Sequence, residues 1–169
     1  MNPRIASFAP AALPSAKILI LGSIPGVASL NANQYYAHPR NAFWKIMGEL
    51  IGFDVRTPYP ERIDALKNAD IALWDVLHSC QRKGSLDTAI EADSITANDL
   101  DAFLDIHSSI KLLCFNGATA ERCFRQHVKL KAEHAAIAQI RLPSTSPAHA
   151  ALSFGQKLSA WRSALWQKR

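Results

Sequence analysis

An apolar run, Ile18-Leu19-Ile20-Leu21, ends abruptly in Gly22-Ser23-Ile24-Pro25-Gly26, and no other feature limits the fold of this chain so tightly. Consecutive aliphatic residues that stop at turn formers read as a strand buried on both faces, breaking into a tight turn. A polar, aromatic loop follows from Asn31 to Arg40, too rich in Asn, Tyr and His to be a packing element. From Asn41 the sequence Asn-Ala-Phe-Trp-Lys-Ile-Met opens an apolar-periodic segment, predicting a helix over 41–51 that ends near Gly52. In an open parallel sheet, ligands sit beyond the carboxyl ends of the strands, where such loops gather. The loop is therefore the candidate site.

The rest of the chain repeats the alternation. After Pro58 and Pro60 come a short helix over 61–68 and a second strand over 70–76, then a polar connection over 79–95 containing Gly84. A helix is expected over 97–107, a third strand over 110–116, a helix over 118–127, a fourth strand over 137–142 and a closing helix over 153–167. Strands alternating with helices imply a parallel sheet covered on both faces. The expected fold class is α/β, a three-layer α/β/α sandwich around a central four-stranded parallel sheet.

The 169 residues suit one domain, 1–169, with residues 1–15 as a proline-bearing N-terminal extension. Half the residues are apolar (49%) and only 20% are charged, so the chain can bury a core. The net charge of +5 favours a polyanionic partner such as nucleic acid. Cys80, Cys114 and Cys123 are odd in number and form no CxxC pair, against a disulfide framework or a zinc site. No window approaches a membrane span. A soluble, cytoplasmic monomer without cofactor, metal or membrane is expected.

Gly22-Ser23-Ile24-Pro25-Gly26 followed by Tyr36-Ala37-His38-Pro39-Arg40-Asn41-Ala42-Phe43-Trp44 resembles the first motif of the uracil-DNA glycosylase superfamily, and most closely its hypoxanthine-DNA (deoxyinosine) glycosylase family. Leu142-Pro143-Ser144-Thr145-Ser146-Pro147-Ala148-His149 resembles the second motif. The resemblance implies the same three-layer fold, DNA containing a deaminated base as partner, and base excision as activity. Some superfamily members carry a four-cysteine iron–sulfur cluster; this chain is one ligand short with the wrong spacing, so no cluster is expected.

In much of the superfamily the residue before the motif's proline is a carboxylate or an asparagine that handles the attacking water. Here it is Ile24, which cannot accept a hydrogen bond. The hypoxanthine-DNA family shares this apolar replacement, which implies that another residue holds the water. Asn41, matching the motif's asparagine, is the expected carrier, and Asn is also a preferred helix cap; both roles can hold together. Ser23 is the alternative, with a hydroxyl but no base evident in the sequence.

Gly22, Pro25 and Gly26, with Ile24, read either as a plain strand-to-helix turn or as a backbone wall against which a flipped base lies. Tyr36 matches the position where relatives stack an aromatic ring on the extruded base, while one of Tyr35 and Tyr36 is expected to plug the loop into the core. His38 is given no catalytic role. Asp75, at the end of the second strand, is a candidate reader of the base edge, or else an exposed aspartate capping the next turn. Asn116 is expected to start the following helix. Ser144, Thr145 and Ser146 offer hydroxyls and N–H groups for a DNA backbone, and His149 is a candidate for steadying the departing base or a phosphate. Pro147 and Ala148 stand where relatives insert a wedge, and neither is long.

Breaking an N-glycosidic bond builds positive charge on the sugar and negative charge on the base, and needs a placed water but no metal. No lysine stands as an evident Schiff-base nucleophile, so a monofunctional glycosylase without lyase activity is expected. Two other classes stay open: a nucleic-acid binding module of the same fold that lost catalysis, and a hydrolase of free nucleosides.

Overall fold

The computed structural model describes residues 1–166. The end of the helix expected over 153–167, and the terminal Gln167-Lys168-Arg169 expected as a solvated tail, lie outside the described residues. In chain order the strands and α-helices are β1 (Arg4–Ala6), β2 (Ile18–Gly22), α1 (Val27–Ala32), α2 (Phe43–Ile51), α3 (Tyr59–Asn68), β3 (Ile71–Asp75), β4 (Leu77–Gln81), β5 (Thr96–Ala97), α4 (Leu100–Ile106), β6 (Leu112–Asn116), α5 (Ala118–His127), α6 (Ala132–Ala135), β7 (Ala138–Leu142) and α7 (Phe154–Leu165).

Four of the strands pair in parallel in the order β3-β2-β6-β7. Period-two alternation divides their side chains between two apolar clusters. Leu19, Leu21, Leu113 and Phe115 pack with Leu100, Phe103 and Leu104 of α4 and with Ala120, Cys123 and Phe124 of α5. Ile18, Ile20, Leu112 and Cys114 face Phe43, Ile46 and Met47 of α2, Leu66 of α3, and Trp161 and Leu165 of α7. Burial on both faces explains why β2, β3 and β6 read as continuous apolar runs, while the edge strand β7 is mostly exposed. The three-layer α/β/α architecture with a four-stranded parallel sheet is the one expected.

Gly52, at φ +96°, ends α2 in the left-handed conformation that only glycine adopts without strain, and its N–H returns to the Gly48 carbonyl. At the other end of the chain, Ser153 and Gln156 form a reciprocal capping box that starts α7.

Three features depart from the expectation. The connection over 79–95 is structured: β4 leaves β3 after Val76 and joins a three-stranded antiparallel sheet, order β1-β4-β5, before two short 3₁₀ turns. Its strands mix buried Leu77 and Cys80 with exposed His78 and are too short to show a period. Residues 1–15 are woven in as well, since Arg4–Ala6 pairs with Ser79–Gln81 and Ala11 bridges to Leu73. Between the glycine turn and the tyrosines, six residues form α1, ended by left-handed Asn33; so short a helix leaves no clear period.

The sheet order places a topological switch at β2, whose two neighbours are reached by chains running in opposite directions. Gly22, Asp75, Asn116 and Leu142 therefore share one carboxyl edge, with Gly22 beside Asp75 and Asn116 beside Leu142. That is where a ligand belongs in such a sheet.

Candidate functional site

At this edge lies a cavity of about 430 Å³, within the usual range for small-ligand sites. Gly22, Ser23, Ile24, Pro25 and Gly26 form one wall, and Tyr36, Asn41 and Asp75 contribute side chains. Ser144, Thr145 and Ser146 close the opposite side. Of the residues singled out in the sequence, only His149 is not part of the lining; its N–H closes a turn onto the Ser146 carbonyl at 3.0 Å.

Gly22 sits where any side chain would collide. A Cβ there would lie 2.5 Å from Asp75 Oδ1 and 2.9 Å from the Tyr36 hydroxyl, so absence of a side chain brings these two polar groups together over the strand end. Tyr36 reaches this place from a left-handed backbone, φ +54°, a strained conformation for a residue with a bulky side chain. Its ring stacks on Phe43 with centroids 4.1 Å apart, and its side chain lines the cavity. Tyr35 points the other way, as expected of one of the pair: its hydroxyl donates to the Ala9 carbonyl at 2.8 Å within the core.

Asp75 is buried rather than exposed, so the turn-capping alternative does not apply. Its Oδ2 is a buried polar atom with no hydrogen-bond partner among the described residues, and the buried Tyr36 hydroxyl lies beside the Asn116 side chain. Burial, reinforced by the nearby charge of Asp87 and opposed by Arg82, pushes the Asp75 carboxyl up to about 7. Burial likewise drives the Tyr36 phenol far above its ordinary range.

Asn41 stands two residues before α2. Its Oδ1 accepts the Phe43 N–H at 2.9 Å in the turn that leads into the helix, whose N-cap is Ala42 without a side-chain cap bond, while its NH₂ group makes no hydrogen bond among the described residues. One amide is thus both fixed and open to the cavity.

The segment that follows β4, legible only as polar connection in the sequence, forms a further wall. Three contacts fasten it to the glycine turn: buried Arg82 donates through Nη2 to the Pro25 carbonyl at 2.6 Å, Ser85 Oγ accepts the Val27 N–H at 2.8 Å, and Ser23 donates its hydroxyl to Asp87 Oδ1 at 2.9 Å. Asp87 lines the cavity, so Ser23 does have a carboxylate beside it. No local sequence signal marks Arg82, because arginine is ordinarily a surface residue.

The second loop is held from within. Thr145 is 1% exposed; its hydroxyl accepts from Asn116 Nδ2 and its N–H donates to Asn116 Oδ1, both at 2.9 Å. Thr145 therefore anchors the loop, and Ser144 and Ser146 carry the exposed part. Asn116 does not start α5, where Gly117 at φ +97° takes the cap position instead.

An adjoining hollow of about 530 Å³ shares Tyr36, His38, Arg40 and Asn41 with the cavity and adds Lys45 and Arg62. A pocket that opens onto a cationic groove can hold one unit of a polyanion while its neighbours lie outside.

This fold and site define an α/β/α protein with a partly polar cavity at the switch point of a parallel sheet. The family model described as the uracil DNA glycosylase superfamily matches residues 10–168, and the chain belongs to that superfamily. Among its relatives, a hypoxanthine DNA glycosylase of Methanosarcina barkeri is 41% identical over 111 residues, covering 65% of this chain and 69% of that protein. Another hypoxanthine DNA glycosylase, from Methanosarcina acetivorans, is 38% identical over 105 residues, covering 62% of this chain and 65% of that one. The chain thus matches about two thirds of the length of each. The solution structure of a candidate uracil DNA glycosylase from Methanosarcina acetivorans superposes with a TM-score of 0.78 at 30% identity, covering 96% of this chain and 97% of that one. Among the described residues no helix is long and apolar enough to cross a membrane.

Proposed function

We propose that the chain, acting as one domain, is a monofunctional DNA glycosylase that excises a deaminated base, hypoxanthine above uracil, from DNA by hydrolysis of the N-glycosidic bond. The observation that carries this reading is Asp75 Oδ2, a buried carboxylate oxygen without a hydrogen-bond partner among the described residues, on a side chain that lines the cavity. Buried polar groups are ordinarily paired, and a base edge supplies the complement. Hypoxanthine presents N1–H beside O6: Asp75 accepts the N–H, and backbone N–H groups donate to the carbonyl. Uracil offers N3–H beside O4 in the same sense. The two relatives that bear the name hypoxanthine DNA glycosylase support the purine.

A base inside a duplex cannot reach such a pocket, so the nucleotide must rotate out of the stack. In this reading Tyr36 stacks on the everted base and the glycine turn lies against it, close enough because Gly22 and Gly26 lack side chains. The NH₂ of Asn41 and the second lone pair of its Oδ1 hold the attacking water. Ser144 and Ser146 with Arg40 hold the strand.

The test is a panel of duplexes, each carrying one deoxyinosine, deoxyuridine, deoxyxanthosine or deoxyadenosine, scored for abasic sites, with free deoxyinosine as a further substrate. Release from deoxyinosine ahead of deoxyuridine, none from deoxyadenosine and none from the free nucleoside is the expected result. A protein inert towards all four duplexes would overturn the reading.

A further inference from the structure

The superfamily's catalytic carboxylate is absent from the glycine turn, but the fold brings another carboxylate to that turn from outside both motifs. We propose that Asp87 takes the proton from the attacking water, with Ser23 as the positioning residue that fixes its carboxylate at the cavity wall. The proposal rests on the glycosylase reading above.

The geometry leads to it from several directions. Asp87 belongs to the first 3₁₀ turn after β4, is half-buried, and lines the same cavity as Asn41. Ser23 is the residue next to Ile24, and its hydroxyl donates to Asp87 Oδ1 at 2.9 Å. A donated hydroxyl stabilises a carboxylate in its ionised, proton-accepting form. Arg82, itself 1% exposed and bonded to the carbonyls of Pro25 and Gly84, supplies a positive charge behind the same wall. The fixed guanidinium and hydroxyl hold an anion at a place where positive charge develops on the sugar.

Two carboxylates now share one site with different surroundings. Asp75 Oδ2 has no partner among the described residues, whereas Asp87 has the Ser23 hydroxyl and a nearby cation that favour its ionised form. The groups that bear on Asp87 are Tyr36, Asp75 of β3, Cys80 of β4, Arg82 beyond it, and Arg122 and Cys123 of α5. Burial raises its carboxyl, while Ser23, Arg82, Thr119 and Arg122 oppose the rise. In the reaction the C1′–N9 bond breaks with its electron pair passing to N9, and the purine takes up a proton from solvent. The water oxygen bonds to C1′ as one of its protons passes to Asp87, which later returns it to solvent. The products are hypoxanthine and an abasic sugar.

The experiment is single-turnover base release from a deoxyinosine duplex by the wild type, Asp87→Asn and Ser23→Ala across a pH range. Affinity for a duplex with a non-cleavable 2′-fluoro analogue and thermal melts are measured beside it. Asp87→Asn, near in shape and still able to accept from Ser23, is expected to slow release on the order of 10²-fold. It should leave affinity within about threefold and abolish the acid limb of the wild-type pH profile. Ser23→Ala should shift that limb upward by loss of the donated hydrogen bond. An Asp87→Asn enzyme within about twofold of the wild type, or one with the acid limb intact, would overturn the proposal. A wild type that releases no base from deoxyinosine would overturn the glycosylase reading itself, and this role with it.

Discussion

Asn116 and Thr145, twenty-nine residues apart, exchange two hydrogen bonds of 2.9 Å each, the amide NH₂ donating to the threonine hydroxyl and the threonine N–H donating to the amide oxygen. The pair ties the end of β6 to the loop after β7, and the Thr145 carbonyl in turn accepts the Ala42 N–H at the start of α2. One interaction thus aligns three of the site's segments. Replacing Asn116 by alanine strands a buried N–H, which costs about 1–3 kcal/mol, so urea unfolding should show a lowered midpoint with unchanged slope. Thr145→Ser keeps the hydroxyl and should leave that midpoint close to the wild type.

This pair also shows where the sequence was readable. Strands β2, β3 and β6 were legible because burial on both faces writes itself as apolar runs, whereas Asn41, a preferred cap by residue type, stands one residue before the cap position, which Ala42 fills. Asn116 and Thr145 were each assigned a local duty, a helix start and a DNA contact, because a single sequence displays no partner so far away. Asp87 and Arg82 were hidden for the same reason, inside a stretch whose short strands carry too few residues for a period to appear. What escaped the sequence was contact across the chain.

Gly22 separates Asp75 from Tyr36, and an alanine there would press a methyl group within 2.5 Å of the carboxylate and 2.9 Å of the phenol. Both neighbours are confined by the core and must be displaced together. Gly22→Ala should therefore lower base release on the order of 10²-fold, as for a misplacement of about 1 Å, in an enzyme that still melts cooperatively. Retention of full activity would show that the cavity floor is not used.

The buried Asp75 carboxyl makes stability depend on pH in a defined sense. Its value is raised from 3.8 to about 7 on folding, so the folded chain holds that proton more tightly than the unfolded chain does. Its contribution is fully present below the unfolded value and is lost as pH rises through about 7. Asp75→Asn, which cannot ionise, should gain stability relative to the wild type between about pH 5 and about pH 8 in urea titrations. Parallel stability curves over that range would contradict the burial argument.

Arg40 is exposed on the rim shared by the cavity and the cationic hollow, with no ion pair among the described residues. If it contacts one phosphate, Arg40→Ala should weaken duplex binding for every sequence alike. The slope of log affinity against log salt should become shallower by about 0.9. An unchanged slope would place the strand elsewhere.

The central claim is that an amide just before α2 does the work of the missing residue before Pro25. Asn41→Ser keeps a side-chain oxygen able to accept the Phe43 N–H and removes the amide, so the turn into α2 is retained while the water loses its holder. The direct measurement is single-turnover release of hypoxanthine by wild type and Asn41→Ser, with affinity for a non-cleavable duplex determined in parallel. A rate lowered by on the order of 10²-fold at unchanged affinity is expected, as for loss of one preorganised polar group in an active site. Release at the wild-type rate would contradict the account.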